Sequence, residues 1–200
     1  QEIIFESVGI KFQGQEYIYN MLPEEIRYCD EFLRKNKIHN RKTIIGLNTG
    51  CGRVFSGKKW TEEGFIGLAK RLIKDKRAGV LLLGGPEEIE RNKRIKRAVK
   101  GIIDTGCENA LRKFAGIVNC CDVVVTGDTI AMHLAIGLKK KTIALFGPTC
   151  AQEIDLYGRG EKIVGKAKCA PCYKRTCDDV VCMKSISVDT VYDAIQGHSK

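Results

Sequence analysis

No apolar run in this chain approaches the roughly 18 residues that a membrane-spanning helix needs, and no leader of the secretory type opens it. The dinucleotide fingerprint G-x-G-x-x-G is missing, and so is the Walker spacing G-x-x-x-x-G-K-[ST]. Acidic D-x-D pairs, which could hold a metal on a diphosphate, are also absent. Aromatic residues make up only 7%, and none interleaves with the basic residues as a nucleic-acid stacking platform requires. What remains is ordinary globular composition, 44% hydrophobic and 29% charged, which excludes a disordered chain. Its 200 residues suffice for one well-buried α/β domain and fall short of two full ones. A chain that opens on Gln1 rather than Met is expected to be part of a longer protein.

The formal charge of +10 invites a search for an anionic partner. The basic residues are spread along helices, as in Arg91, Lys93, Arg94, Lys96, Arg97 and Lys100, which reads first as a solvated helix face. A basic surface also suits work beside an anionic membrane or on an anionic substrate. Ten cysteines without a secretory leader point to a reducing, cytoplasmic setting with mostly free thiols. Six of them, Cys29, Cys51, Cys107, Cys120, Cys121 and Cys150, are expected to act as small core residues.

Residues 1–42 read as an interdomain or linker segment. It holds a helix from Pro23 to about Lys35, with Ile26, Cys29, Phe32 and Leu33 at helical spacing, and a polar stretch from Lys37 to Lys42. From residue 43 to 200 the pattern is that of one domain. Apolar strand-like runs at Thr43–Leu47, Val80–Leu83, Gly101–Asp104, Val123–Thr126 and Thr142–Phe146 alternate with helical stretches. One of these opens at Thr61-Glu62-Glu63, an N-cap followed by first-turn acids, and carries Phe65, Leu68, Ala69, Leu72 and Ile73 on one face. Continuous apolar strands between helices imply a parallel sheet covered on both faces, a Rossmann-like doubly wound α/β fold. Ligand is then expected at the carboxyl ends of the strands.

Those ends are rich in glycine. Thr49-Gly50-Cys51-Gly52 lets backbone approach a phosphate closely, and Lys58 and Lys59 follow as point charges that can reach a diphosphate. Gly84-Gly85-Pro86 leads into Glu87 and Glu88, which either favour a helix dipole or accept hydrogen bonds from ribose hydroxyls. Val123–Thr126 runs through Gly127 into Asp128-Thr129-Ile130-Ala131-Met132-His133, a strand, turn and helix start that aims N–H groups at an anion. Either Asp128 or Thr129 can be the N-cap of that helix, and His133 is a core histidine or part of the site.

As a set these loops resemble the C-terminal domain of family 9 glycosyltransferases, the ADP-heptose:lipopolysaccharide heptosyltransferases. The resemblance rests on Ile44-Ile45-Gly46-Leu47-Asn48-Thr49-Gly50 leading to Lys58-Lys59-Trp60, and on Leu83-Gly84-Gly85-Pro86-Glu87-Glu88 with Arg91, Lys93 and Arg94. It continues through Asp128-Thr129-Ile130-Ala131-Met132-His133, similar to the family's D-[ST]-G-x-x-H with Ile130 in the glycine position, and ends on Phe146-Gly147-Pro148-Thr149. It implies the C-terminal half of a GT-B enzyme, with the acceptor surface and the catalytic carboxylate in an N-terminal half that this chain lacks. Thr49 and Lys58 would then contact the diphosphate, Glu88 or Glu87 the ribose, and Asp128 the heptose hydroxyls. The backbone of Thr129, Ile130 and Ala131 would face phosphate, the Asn109–Leu111 region would flank adenine, and His133 would support the loop. The resemblance further implies inverting transfer of heptose from ADP-heptose to the lipopolysaccharide core, without a metal or other cofactor. It implies a cytoplasmic enzyme at the inner membrane that does not bind nucleic acid.

Cys169-x2-Cys172-x4-Cys177-x4-Cys182 has ligand-like spacing for zinc or iron–sulfur, although only the first two form a close pair. The primary reading is a structural thiol cluster, with bound metal or disulfides as alternatives. A transferase acting on another nucleotide sugar is one rival to the heptosyltransferase reading. A basic, metal-stapled nucleic-acid module is the other.

Overall fold

The computed structural model describes residues 2–75 and 78–198. Its core is a single sheet of six strands: β1 (Thr43–Asn48), β2 (Ala78–Leu83), β3 (Ile103–Asp104), β4 (Val123–Gly127), β5 (Lys141–Phe146) and β6 (Gly160–Val164). They lie in the order β3-β2-β1-β4-β5-β6, and every pair is parallel. The chain winds outward from β1 to β3, returns to place β4 beside β1, and winds outward again. The seam between β1 and β4 is therefore the switch point of a doubly wound sheet, where such folds open a crevice.

Side-chain alternation divides the core in two. Ile45, Leu47, Val80, Leu82, Val123, Val125, Ile143 and Leu145 face α3 (Glu62–Lys74), α4 (Ile89–Ala98) and α8 (Val188–His198), where Phe65, Leu68, Leu72, Ile95, Val191 and Ile195 meet them. Ile44, Leu81, Leu83 and Val124 face the other way, toward α2 (Pro23–Lys35), α5 (Leu111–Asn119) and α6 (Ile130–Gly137). Gly46 is required on that second face, because a Cβ there would stand 2.6 Å from Cys121 Sγ. Two short helices, α1 (Glu2–Ser7) and α7 (Val181–Lys184), complete the set.

The strand and helix pattern expected from residue 43 to 146 is present with small shifts of boundary. β3 begins at Ile103 rather than at Gly101 and keeps only two residues. β6 and α8 lie beyond the part of the sequence whose alternation was legible. In β6 only Ile163 is buried and the other four positions are not, so its residues carry no apolar run.

The segment from about residue 15 to Ile38 is docked onto the domain. α2 packs on α5 through Cys29, Tyr28, Phe32 and Leu33, whereas Ile26 is about half exposed rather than part of the buried stripe. In the polar stretch after α2, Ile38 turns inward and joins the same core. Ahead of α2, the segment around residues 15–20 runs as a strap. The Tyr19 N–H donates to the Gly137 carbonyl (3.2 Å), and Glu16 pairs with Arg159 (2.9 Å).

The cysteines split less cleanly than the sequence suggests. Cys29, Cys107, Cys120 and Cys121 are buried as expected, but Cys51 and Cys150 sit half-exposed in loops. Burial pushes the Cys121 thiol well above its ordinary range. In the cysteine-rich stretch Cys182 is buried, while Cys169 and Cys177 are exposed. Among the described residues no three His, Cys, Asp or Glu side chains converge as a metal-binding group.

Candidate functional site

The crevice at the switch point is a cavity of about 430 Å³ walled by glycine loops. Gly50, Cys51 and Gly52 after β1 form one wall, and Gly84 to Glu88 after β2 form the second. Asn109, Leu111 and Phe114 close the side near α5, and Thr129 and Ile130 at the start of α6 close the side near β4. Glycine is needed in these walls for want of room. A Cβ on Gly50 would lie 2.5 Å from Glu88 Oε2, and one on Gly84 would lie 2.8 Å from Asn92 Nδ2. Leu111 and Ile130 are both more than half exposed, so the rim offers apolar surface suited to a flat base.

Asn48 stitches the two sides of the seam together. Its Nδ2 donates to the Gly50 carbonyl (3.2 Å), to Thr126 Oγ1 (3.1 Å) and to Thr129 Oγ1 (3.2 Å). A polar residue ending a buried strand is the signal in the sequence for this role, and the sequence reading above assigns it none.

The N-cap of α6 is Thr129, whose hydroxyl accepts the Ala131 N–H at 3.2 Å. The Met132 and His133 N–H groups are taken by the Thr129 carbonyl. The Ala131 N–H is thus occupied, and the residues of this turn at the cavity are Thr129 and Ile130. Asp128, released from capping, instead meets Lys58. Lys58 Nζ stands 2.8 Å from Asp128 Oδ2 and 3.2 Å from its carbonyl oxygen, with both side chains less than a fifth exposed. The Phe55 ring lies beneath the same ammonium at 5.0 Å. His133 Nε2 is 3.9 Å from Asp128 Oδ1 and its ring faces Tyr17, 6.1 Å between centroids. Lys58, Asp128 and His133 therefore form one polar group on the β4 side, next to the cavity.

The two glutamates separate. Glu87 is held by the exposed Arg53 at 2.6 Å, a solvent-screened pair of small energetic value. Glu88 is buried at the cavity wall. Its Oε2 accepts the Gly85 N–H (3.1 Å), and its Oε1 lies 2.9 Å from Lys59 Nζ without meeting hydrogen-bond geometry. Lys59 thus compensates a buried carboxylate whose Oε1 keeps hydrogen-bonding capacity. Thr49 is only 1% exposed, and its hydroxyl points inward to Asn92 Oδ1 (2.6 Å), beneath the loop rather than into the cavity. Burial also pushes the Cys51 thiol in the cavity wall above its ordinary range.

The structure therefore brings Glu87, Glu88, Leu111, Thr129 and Ile130 to the cavity and Lys58, Asp128 and His133 beside it. Thr49 and Ala131 serve the backbone of the loops. The basic face of α4 is largely consumed in local contacts. Arg94 pairs with Glu62 (2.8 Å), Lys93 with Glu90 (2.7 Å) and Lys96 with Asp104 (3.8 Å), and Arg91 donates to the Trp60 carbonyl.

A doubly wound parallel sheet with a glycine-walled crevice at its switch point defines a Rossmann-like ligand-binding domain of the kind found in GT-B glycosyltransferases. The family profile described as glycosyltransferase family 9 (heptosyltransferase) matches residues 5–180, and the chain belongs to that family. The lipooligosaccharide heptosyltransferase 2 of Campylobacter jejuni subsp. jejuni serotype O:6 is 27% identical over 190 residues, covering 88% of this chain and 56% of that protein. Among solved structures, a glycosyl transferase family 9 protein from Veillonella parvula superposes with a TM-score of 0.78 at 19% identity, covering 98% of this chain and 58% of the other. The Escherichia coli heptosyltransferase WaaC with ADP-2-deoxy-2-fluoro heptose gives 0.64 at 20% identity, covering 98% and 53%. The chain spans about half the length of the curated relatives it matches.

Proposed function

We propose that this chain is the donor-binding half of a heptosyltransferase, holding ADP-heptose for inverting transfer of heptose to the lipopolysaccharide inner core. The carrying observation is the union, at one switch point, of a glycine-walled cavity with the Lys58–Asp128–His133 group beside it. The base lies against Leu111 and Ile130, and the Glu88 carboxylate accepts from the ribose. Lys58 and the first turn of α6 face the diphosphate, and Asp128 meets the sugar hydroxyls. Glu87, already paired with Arg53, serves the cavity rim.

Displacement at the anomeric carbon leaves ADP with growing negative charge. A lysine and an N-terminal helix turn, fixed before the reaction, stabilise that charge at the moment it develops. The lysine and the partial positive charge at the helix end take the role a metal ion would otherwise fill, so donor binding proceeds without one. The catalytic carboxylate and the acceptor surface belong to a second half, beyond the residues of this chain. The whole enzyme works on the cytoplasmic face of the inner membrane, where its acceptor is anchored. No described helix is long and apolar enough to cross a membrane.

Calorimetric titration with ADP and then ADP-heptose tests this reading. Saturable binding, tighter for the sugar nucleotide and unchanged by EDTA, is the expected result. A chain that binds neither, or that binds only when Mg²⁺ is restored, would contradict it.

A further inference from the structure

We infer that Asn92 is a positioning residue for the donor cavity, one side chain that ties the ends of β1, β2 and β3 into a fixed cradle; this rests on reading the cavity as a nucleoside-diphosphate site. Asn92 does not line the cavity. It sits in α4, 1% exposed, where the helix's other buried residue is Ile95. Its Oδ1 accepts the Thr49 hydroxyl (2.6 Å), just past β1. Its Nδ2 donates to the Leu83 carbonyl at the end of β2 (3.2 Å) and to Cys107 Sγ in the loop after β3 (3.4 Å).

Both amide hydrogens are used and the oxygen is engaged, so the buried group is satisfied on every side. The loops it joins cannot fix their own shape, because Gly50, Gly84 and Gly85 have no side chains to lock against neighbours. Asn48 and Glu88 hold Gly50 and Gly85 from the sides, and Asn92 supports the loops from below. Gly84 lies directly on the Asn92 amide, where a Cβ would be 2.8 Å from Nδ2. A leucine at position 92 would bury more apolar surface but carry no direction. The amide specifies how far apart the two glycine walls stand, which is the dimension a diphosphate must fit.

The test uses Asn92→Ala, Thr49→Val, and the double variant Thr49→Val with Asn92→Leu, with ADP as probe and amide hydrogen exchange as a second readout. N92A is expected to weaken ADP about tenfold, since it leaves buried partners unsatisfied. It is also expected to speed exchange at the Thr49 and Thr105 amides, which donate to the Leu83 and Leu82 carbonyls. The Phe65 amide in α3 should exchange as in the unaltered chain. The double variant replaces both partners by apolar groups of similar shape. It is expected to recover the melting temperature while ADP binding stays weak, a split that a purely structural role would not produce. If N92A does not fold, T49V alone reads the same link and is expected to weaken ADP severalfold with faster exchange at Thr105. Unchanged ADP affinity in the double variant, or unchanged loop exchange in N92A or T49V, would overturn the inference. If the unaltered chain fails to bind ADP, the donor reading falls, and the exchange rates alone decide whether Asn92 holds the loops.

Discussion

Lys58 and Asp128 satisfy each other in the free protein, 2.8 Å apart and mostly shielded from water. The proposed function asks both to turn to a ligand, the lysine to phosphate and the carboxylate to sugar hydroxyls. On that reading donor binding draws on both members of this pair, and the two residues should respond differently to removal. Lys58→Ala is expected to weaken ADP about tenfold, the scale of one charge-assisted contact. Asp128→Ala removes a competitor for the ammonium, so ADP should bind as well or better while the preference for ADP-heptose over ADP disappears. Calorimetry on both variants with both ligands measures this, and equal losses for ADP in the two would refute the exchange of partners. Residue identity in this region was largely legible from the sequence. Capping was not: Asp128 and Thr129 are both good N-caps, and only the bonds from Thr129 to Asn48 and Ala131 decide which one is free for the lysine.

At the scale of elements, the alternation of buried strands and amphipathic helices from β1 to β5 could be read directly, because those strands are apolar on both faces. β6 could not, since it is an edge strand with polar positions, and α8 follows a cysteine-rich stretch without periodic pattern. The docking of α2 was also beyond the sequence, since packing on α5 depends on contacts distant along the chain. Glu25 is central to that docking. Burial alone would raise its pKa, but the Leu22 N–H (2.7 Å) and Arg112 (3.2 Å) outweigh it and hold the carboxyl below its ordinary 4.5. A depressed carboxylate lends stability above its ordinary pKa and loses it as pH falls through the folded value. Acid titration should therefore loosen α2 below about pH 4.5, and Glu25→Gln should flatten that dependence, as read by amide exchange in α2. A sharper steric test sits in β1. Gly46→Ala forces a methyl to 2.6 Å from Cys121 Sγ and 3.0 Å from Leu83 Cδ1, and it should cost about 1–3 kcal/mol in urea unfolding.

For the whole molecule, the sheet order has a consequence for how the protein comes to exist. β1, β2 and β3 come from residues 43–104, and β4, β5 and β6 from residues 123–164. Within each run neighbouring strands are joined by short crossovers. Strands of the two runs pair where Ile45, Gly46 and Leu47 meet Val123, Val124 and Val125, a register linking positions 78 apart. Pairings so distant in sequence carry a larger loop-closure cost than local ones. The cavity straddles this seam, with Gly50 contributed by the first run and Thr129 and Ile130 by the second, and the Lys58–Asp128 pair bridges the two runs beside it. A ligand that needs both walls of the cavity engages only a chain in which the two runs are joined. By mass action such a ligand would favour the joined sheet over a chain whose two halves have parted, so that whatever fills the cavity also serves as a clasp on the fold.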